Sequence, residues 1–190
     1  MKEINDKEIV KSCQKGSLHE FGKLYDKYVK KIYNFIYYKS CHKETAEDLT
    51  SQTFIKALNS ISTFNPSKGS FSSWLYRIAR NNVIDYYKNK ERGTIDIYDF
   101  WGLSSETDVA YDIDVKEKLG QVEGYLRKLK MEHREIVIMR IWDNLSYKEI
   151  SEIIGKSEAS CKMTFSRTMT NLRKEIPLSS LLFLLFKTLN

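Results

Sequence analysis

Only two prolines, Pro66 and Pro177, interrupt a chain of 190 residues in which apolar side chains recur at three- and four-residue intervals. Such a chain favours long helices, because little in it removes backbone donors or breaks the helical period. Eight glycines are too few for the dense turns of a many-stranded sandwich. From Ser17 to Leu58 the pattern runs through Phe21, Leu24, Tyr25, Tyr28, Ile32, Tyr33, Phe35 and Ile36. It breaks at Ser40–Lys43 and resumes with Ala46, Leu49, Phe54, Ile55 and Leu58. Glu44, Glu47 and Asp48 open this second helix. Carboxylates there suit the positive end of the helix dipole, and they equally offer an acidic docking surface.

The segment 63–70, TFNPSKGS, reads as a loop in which Ser70 caps a helix over 71–92. Projected at about 100° per residue, that helix gathers Phe71, Leu75, Ile78, Ala79 and Tyr86 on one side. Arg77, Arg80, Asn81 and Lys88 lie on the other, with Trp74 at the edge. A basic face bordered by an aromatic suits single-stranded nucleic acid, since cations follow the backbone while rings stack on unpaired bases.

Residues 121–145 read as a helix pair, with Val122, Tyr125, Leu126 and Leu129, then Ile136, Val137, Met139, Arg140 and Ile141. Ser146 and Glu149 have the spacing of a capping box, Ile150, Ile153 and Ile154 form an apolar stripe, and Gly155 ends the helix. The next helix is expected to bury Cys161, Phe165, Thr168, Met169 and Leu172 and to expose Met163, Arg167, Thr170 and Lys174, with Ser160 and Thr164 at the margins. A short helix, a glycine turn and a longer basic helix make a helix-turn-helix pattern, whose second helix enters the major groove.

Charge follows the same division. Residues 1–92 carry 17 basic and 10 acidic side chains, residues 93–120 carry 2 and 7, and residues 121–190 carry 12 and 8. The basic blocks favour a polyanion. The acidic stretch between them lacks a sustained period and reads as a linker, although Ile95, Ile97, Tyr98, Phe100 and Trp101 equip it to touch a surface. The fold class expected is therefore all-α, with an N-terminal helix bundle (1–92), an acidic linker (93–120), a C-terminal helix-turn-helix domain (121–176) and a tail (177–190). In the tail, Leu178, Leu181, Leu182, Leu185, Phe186 and Leu189 recur at amphipathic spacing, for packing on its own domain or docking elsewhere.

Three widely spaced cysteines, Cys13, Cys41 and Cys161, indicate no disulfide framework. His19, His42 and His133 have no metal-ligand spacing with each other or with the cysteines, so no metal, cofactor or catalytic group is expected. No apolar run approaches the ~18–20 residues of a membrane span, and MKEINDKEIVK is not a signal peptide, so the expected location is cytoplasmic without stable membrane insertion.

The stretch EDLTSQTFIKAL (47–58), its loop, and FSSWLYRIARNNVIDYYKNKER (71–92) resemble the second conserved region of bacterial RNA polymerase sigma factors. Residues 126–176 resemble the fourth. With only a linker between them, the arrangement is similar to the extracytoplasmic-function (ECF) group of the sigma-70 family. The resemblance implies a non-enzymatic factor that directs core RNA polymerase to a two-element promoter. It implies that Asp48, Leu49, Gln52, Thr53 and Phe54 bind the β′ clamp helices, and that Trp74, Arg77, Arg80, Asn81 and Lys88 meet the −10 element. It further implies the β flap as a second contact on core polymerase, and that Ser157, Ser160, Lys162, Met163, Thr164 and Arg167 meet the −35 element. Thr164 and Met169 stand where many relatives carry Arg in the reading helix, so the promoter sequence does not transfer from the family. An anti-sigma factor is a further candidate partner. The competing reading is a one-component helix-turn-helix regulator, which would bind duplex without polymerase; the basic, aromatic N-terminal half lacks the pocket signature such a sensor needs.

Overall fold

The computed structural model describes residues 5–40, 42–92, 124–126 and 128–175, and all regular elements among them are helices. The chain divides into two compact units, Met1–Ser104 and Ser105–Asn190. The linker read at 93–120 with its apolar residues, the tail 177–190, Cys41 and Val122 lie outside the described residues.

The first unit contains α1 (Asp6–Gln14), α2 (Phe21–Ser40), α3 (Lys43–Ser60) and α4 (Phe71–Arg92). Leu24, Tyr28, Ile32, Phe35 and Ile36 form one buried stripe along α2. Ala46, Leu49, Thr53, Phe54 and Ala57 of α3 are buried with Phe71, Leu75, Tyr76, Ala79 and Val83 of α4. Each fully buried Leu, Ile or Phe contributes about 1.5–3 kcal/mol, so these three helices hold the unit together. The starts are fixed locally. The His42 imidazole accepts the Thr45 N–H (3.3 Å) to cap α3, and Ser70 Oγ accepts the Ser73 N–H (3.0 Å) to start α4. Gly69, just before it, has φ 144°, a backbone region that a side chain resists.

The second unit contains a helical turn at 124–126, then α5 (Met131–Ile141), α6 (Tyr147–Ile154) and α7 (Glu158–Glu175). Buried Arg134 donates through Nε to the Leu126 carbonyl (2.7 Å), joining the turn to α5. Tyr125 donates to the Thr168 carbonyl (3.1 Å), and its phenol is pushed up by burial and then by Glu175. The capping box at Ser146 and Glu149 is formed in both directions. Gly155 is left-handed at φ 78° and turns the chain from α6 into α7. No helix among the described residues is long and apolar enough to cross a membrane.

Candidate nucleic-acid and polymerase interfaces

Three surfaces come from the helices just described. On α3, Glu44, Asp48, Ser51, Gln52 and Ile55 are exposed and share one face at about 100° per residue. Ile55, expected in the apolar stripe, is instead 59% exposed and sits among these polar groups. Tyr25, also expected inside, is 43% exposed and packs its ring on Phe54 at 4.8 Å. The result is an acidic face with an apolar centre and an aromatic neighbour, a composition that suits a protein partner.

On α4, Arg77, Asn81 and Lys88 are exposed on one side, while Arg80 is half-buried at its margin. Asp85 is exposed on the same side, an acidic member that the arginines and lysine had obscured in the sequence. Trp74 is half-buried and belongs to an aromatic triad, with ring centroids 5.3 Å from Phe64 and 5.6 Å from Phe71. Phe64 and Phe71 also meet edge-on at 5.9 Å. Trp74 is thus backed by two rings and retains exposure at the margin of the basic face.

A polar tie connects α3 to α4. Asn82 is buried and donates to Thr53 Oγ1 (2.9 Å), while Lys56 donates to the side-chain oxygen of Asn82, Oδ1. Thr53 in turn donates to the Leu49 carbonyl (2.7 Å). Of the adjacent pair Asn81 and Asn82, one is exposed and the other is a structural strut.

On α7, Ala159, Met163, Ser166, Arg167 and Thr170 form the exposed face, with Met163 51% exposed. Ser160 is half-buried beside it, and Lys162 and Thr164 lie at opposite margins. Ser157 caps α7, its Oγ accepting the Ser160 N–H at 3.2 Å. Helix α7 is held by a stack across three helices. Arg140 of α5 lies over the Tyr147 ring of α6 (5.0 Å), and Tyr147 meets Phe165 of α7 edge-on (6.0 Å). Arg140 also donates to the Leu145 carbonyl (2.9 Å). Lys156 pairs with Glu132 at 2.6 Å, linking the turn to α5.

The Sigma-70 region 2 family model matches residues 24–93, and the Sigma-70, region 4 model matches residues 119–172. The chain is 35% identical over 176 residues to the ECF RNA polymerase sigma factor BldN of Streptomyces coelicolor, covering 90% of this chain and 65% of BldN. It is 33% identical over 161 residues to the RNA polymerase sigma factor YlaC of Bacillus subtilis, covering 80% of this chain and 90% of YlaC. The chain belongs to the ECF sigma factors of the sigma-70 family. Its fold is also that of a solved sigma factor, RpoE in complex with the anti-sigma factor NepR from Bartonella quintana, at a TM-score of 0.64, 21% identity, and coverage of 82% of this chain and 95% of that one.

Within this sigma factor the structure separates residues that the sequence motif groups together. Leu49, Thr53 and Phe54, expected at the polymerase surface, are buried. A helix shows only part of its circumference to a partner, and these three point toward α2 and α4. Asp48 and Gln52 remain outside, joined by Ile55. Met169, which helical spacing turns inward, is 8% exposed and stands outside the face described for α7. Phe165, expected fully inside, is half-exposed against Tyr147. Both described cysteines, Cys13 and Cys161, are buried, and burial is the first cause that pushes each thiol up, away from reactive thiolate.

Proposed function

We propose that this sigma factor divides promoter recognition between its two halves while core RNA polymerase supplies the chemistry. Residues 1–92 dock on core and hold the opened −10 strand, residues 121–176 read the −35 duplex, and the acidic segment 93–120 connects them. The observation that carries this reading is the face of α4, where Arg77, Asn81 and Lys88 run beside a tryptophan backed by Phe64 and Phe71. Cations along the face neutralise phosphates, and an indole at its margin stacks on a base only once that base is unpaired. The first half of α7, with Met163 and Arg167 exposed and Ser160 and Thr164 half-buried beside them, suits base edges in a major groove.

Asp48, Gln52 and Ile55 are the core-docking residues of this proposal, with the β′ clamp helices as their partner. The C-terminal unit has the β flap as its protein contact. A factor of this kind works in the cytoplasm without a cofactor or a reaction of its own. An anti-sigma factor, the class of partner held by RpoE, is its natural antagonist, because covering either DNA-facing surface would silence it.

Strand opening tests the division. Holoenzyme carrying Trp74→Ala is expected to assemble normally but to leave −10 thymines about tenfold less reactive to permanganate on a duplex promoter, from the ~1–3 kcal/mol of one base stack. A template already unpaired across that element restores transcription. Normal opening on the duplex by Trp74→Ala would remove the indole from the melting step.

A further inference from the structure

The segment between α3 and α4 is tied down by a side chain that comes from far away in sequence. Gln14, the last residue of α1, uses both hydrogens of its carboxamide nitrogen, donating to the Ile61 carbonyl (3.0 Å) and the Phe64 carbonyl (2.8 Å). These two carbonyls bracket the 3-10 turn Ile61–Thr63. The second belongs to the residue whose ring backs Trp74 at 5.3 Å. After Phe64 the loop organises itself locally, with Asn65 Oδ1 accepting from the Ser67 N–H (2.9 Å) and the Asn65 carbonyl accepting from the Lys68 N–H (3.0 Å).

Helix α1 is itself held firmly enough to act as a brace. Ile9, Val10 and Cys13 are buried under it. At its opposite end the Asp6 carboxylate takes Lys27 (2.6 Å) and the Tyr28 hydroxyl (2.5 Å), both from α2. One end of α1 is therefore fastened to α2 and the other to the loop that leads into α4.

We propose that Gln14 is a positioning residue for −10 strand recognition, setting the 61–70 loop and the Phe64–Trp74 pair in the geometry that selects bases. The proposal rests on the reading that this loop and Trp74 face the opened strand. A carboxamide suits the task because one nitrogen offers two donors to two carbonyls. Glutamate, its isostere, offers none when ionised and sets a carboxylate against both oxygens.

The test uses holoenzyme and a pool of short single-stranded DNA of random sequence, from which bound species are sequenced. Wild type is expected to enrich a motif. Gln14→Glu and Gln14→Ala are expected to lower that enrichment about tenfold, the scale of one or two lost hydrogen bonds, with core affinity unchanged. Gln14→Lys, which keeps N–H donors, retains the motif. Hydrogen exchange speeds up at the Phe64 and Lys68 amides in Gln14→Glu, a local change that a global loss of stability would not confine to the loop. A combined Asn65→Ala, Ser67→Ala and Lys68→Ala variant separates the two levels of the argument. If it loses the motif while Gln14→Glu keeps wild-type enrichment, the role of Gln14 is overturned alone. If it keeps the motif, the reading of the loop falls and the role of Gln14 falls with it.

Discussion

Asp48→Arg is expected to weaken holoenzyme assembly by about thirtyfold, the ~2 kcal/mol typical of a residue central to a protein interface. Asp48 is exposed on α3 with Gln52 and Ile55 on the same face, so the substitution reverses a charge without opening the core. Exposed substitutions away from special features usually change stability by no more than about 0.5 kcal/mol, and thermal unfolding of the free protein should show as much. Ile55→Asp should weaken assembly too, because it places a solvated charge at the apolar centre of the same face. Phe54→Ala is a poorer test, since Phe54 is buried against Phe21 and Tyr25 and its loss confounds packing with docking. Titration of labelled core with each folded variant decides the matter. Wild-type affinity in Asp48→Arg would remove this face from the polymerase contact.

Arg167→Ala is expected to cost about 1–3 kcal/mol in binding to the −35 element and to relax preference at a single base pair. Arg167 is exposed on α7 close to Met163 and on the side of Ser160, where a guanidinium reaches a base edge if the helix lies in the major groove. Lys162 lies at one margin of that face and Arg77 on the first unit's basic face, where phosphate contact is the simpler role. Replacing either by Ala should weaken binding evenly across sequences and reduce the salt slope by about one unit. Holoenzyme binding to a set of −35 variants at several salt concentrations separates these outcomes. A uniform loss for Arg167→Ala, with no change of preference at any position, would make it a backbone contact.

Local chemistry was legible in the sequence. Ser146, Glu149 and Gly155 declare a helix start and stop within a few residues of one another, and the capping box and left-handed glycine are formed. Ser70 likewise marks the start of α4, whose bounds Phe71–Arg92 match the expected helix. What the periodicity could not supply is which side of an ambiguous helix its neighbours cover. α3 has apolar residues around more than one side, and Phe54 and Ile55 are about 100° apart, so the motif could not say that Phe54 turns inward and Ile55 outward. Where one stripe dominates, as around Met169 on α7, spacing was enough to place the side chain off the exposed arc.

Long-range ties were hidden for a different reason. Asn81 and Asn82 are identical in type, and it takes the Thr53 hydroxyl and Lys56 of α3 to show that Asn82 is a strut. Gln14 bonds to residues 47 and 50 positions later, a pairing that no local pattern encodes. The family resemblance named the roles of whole segments, while the split between surface and core residues within each segment required the packing.

Run-off transcription with purified core polymerase on fragments of the genome that encodes this chain tests the central claim most directly. Core alone should give scattered, fragment-end initiation. Adding the protein should give discrete 5′ ends, each preceded by the same pair of short elements at a fixed separation, and Asp48→Arg should need about thirtyfold more protein to give the same ends. The contradicting result is a protein that selects duplex fragments without core and adds no new start sites, which is the behaviour of a one-component regulator.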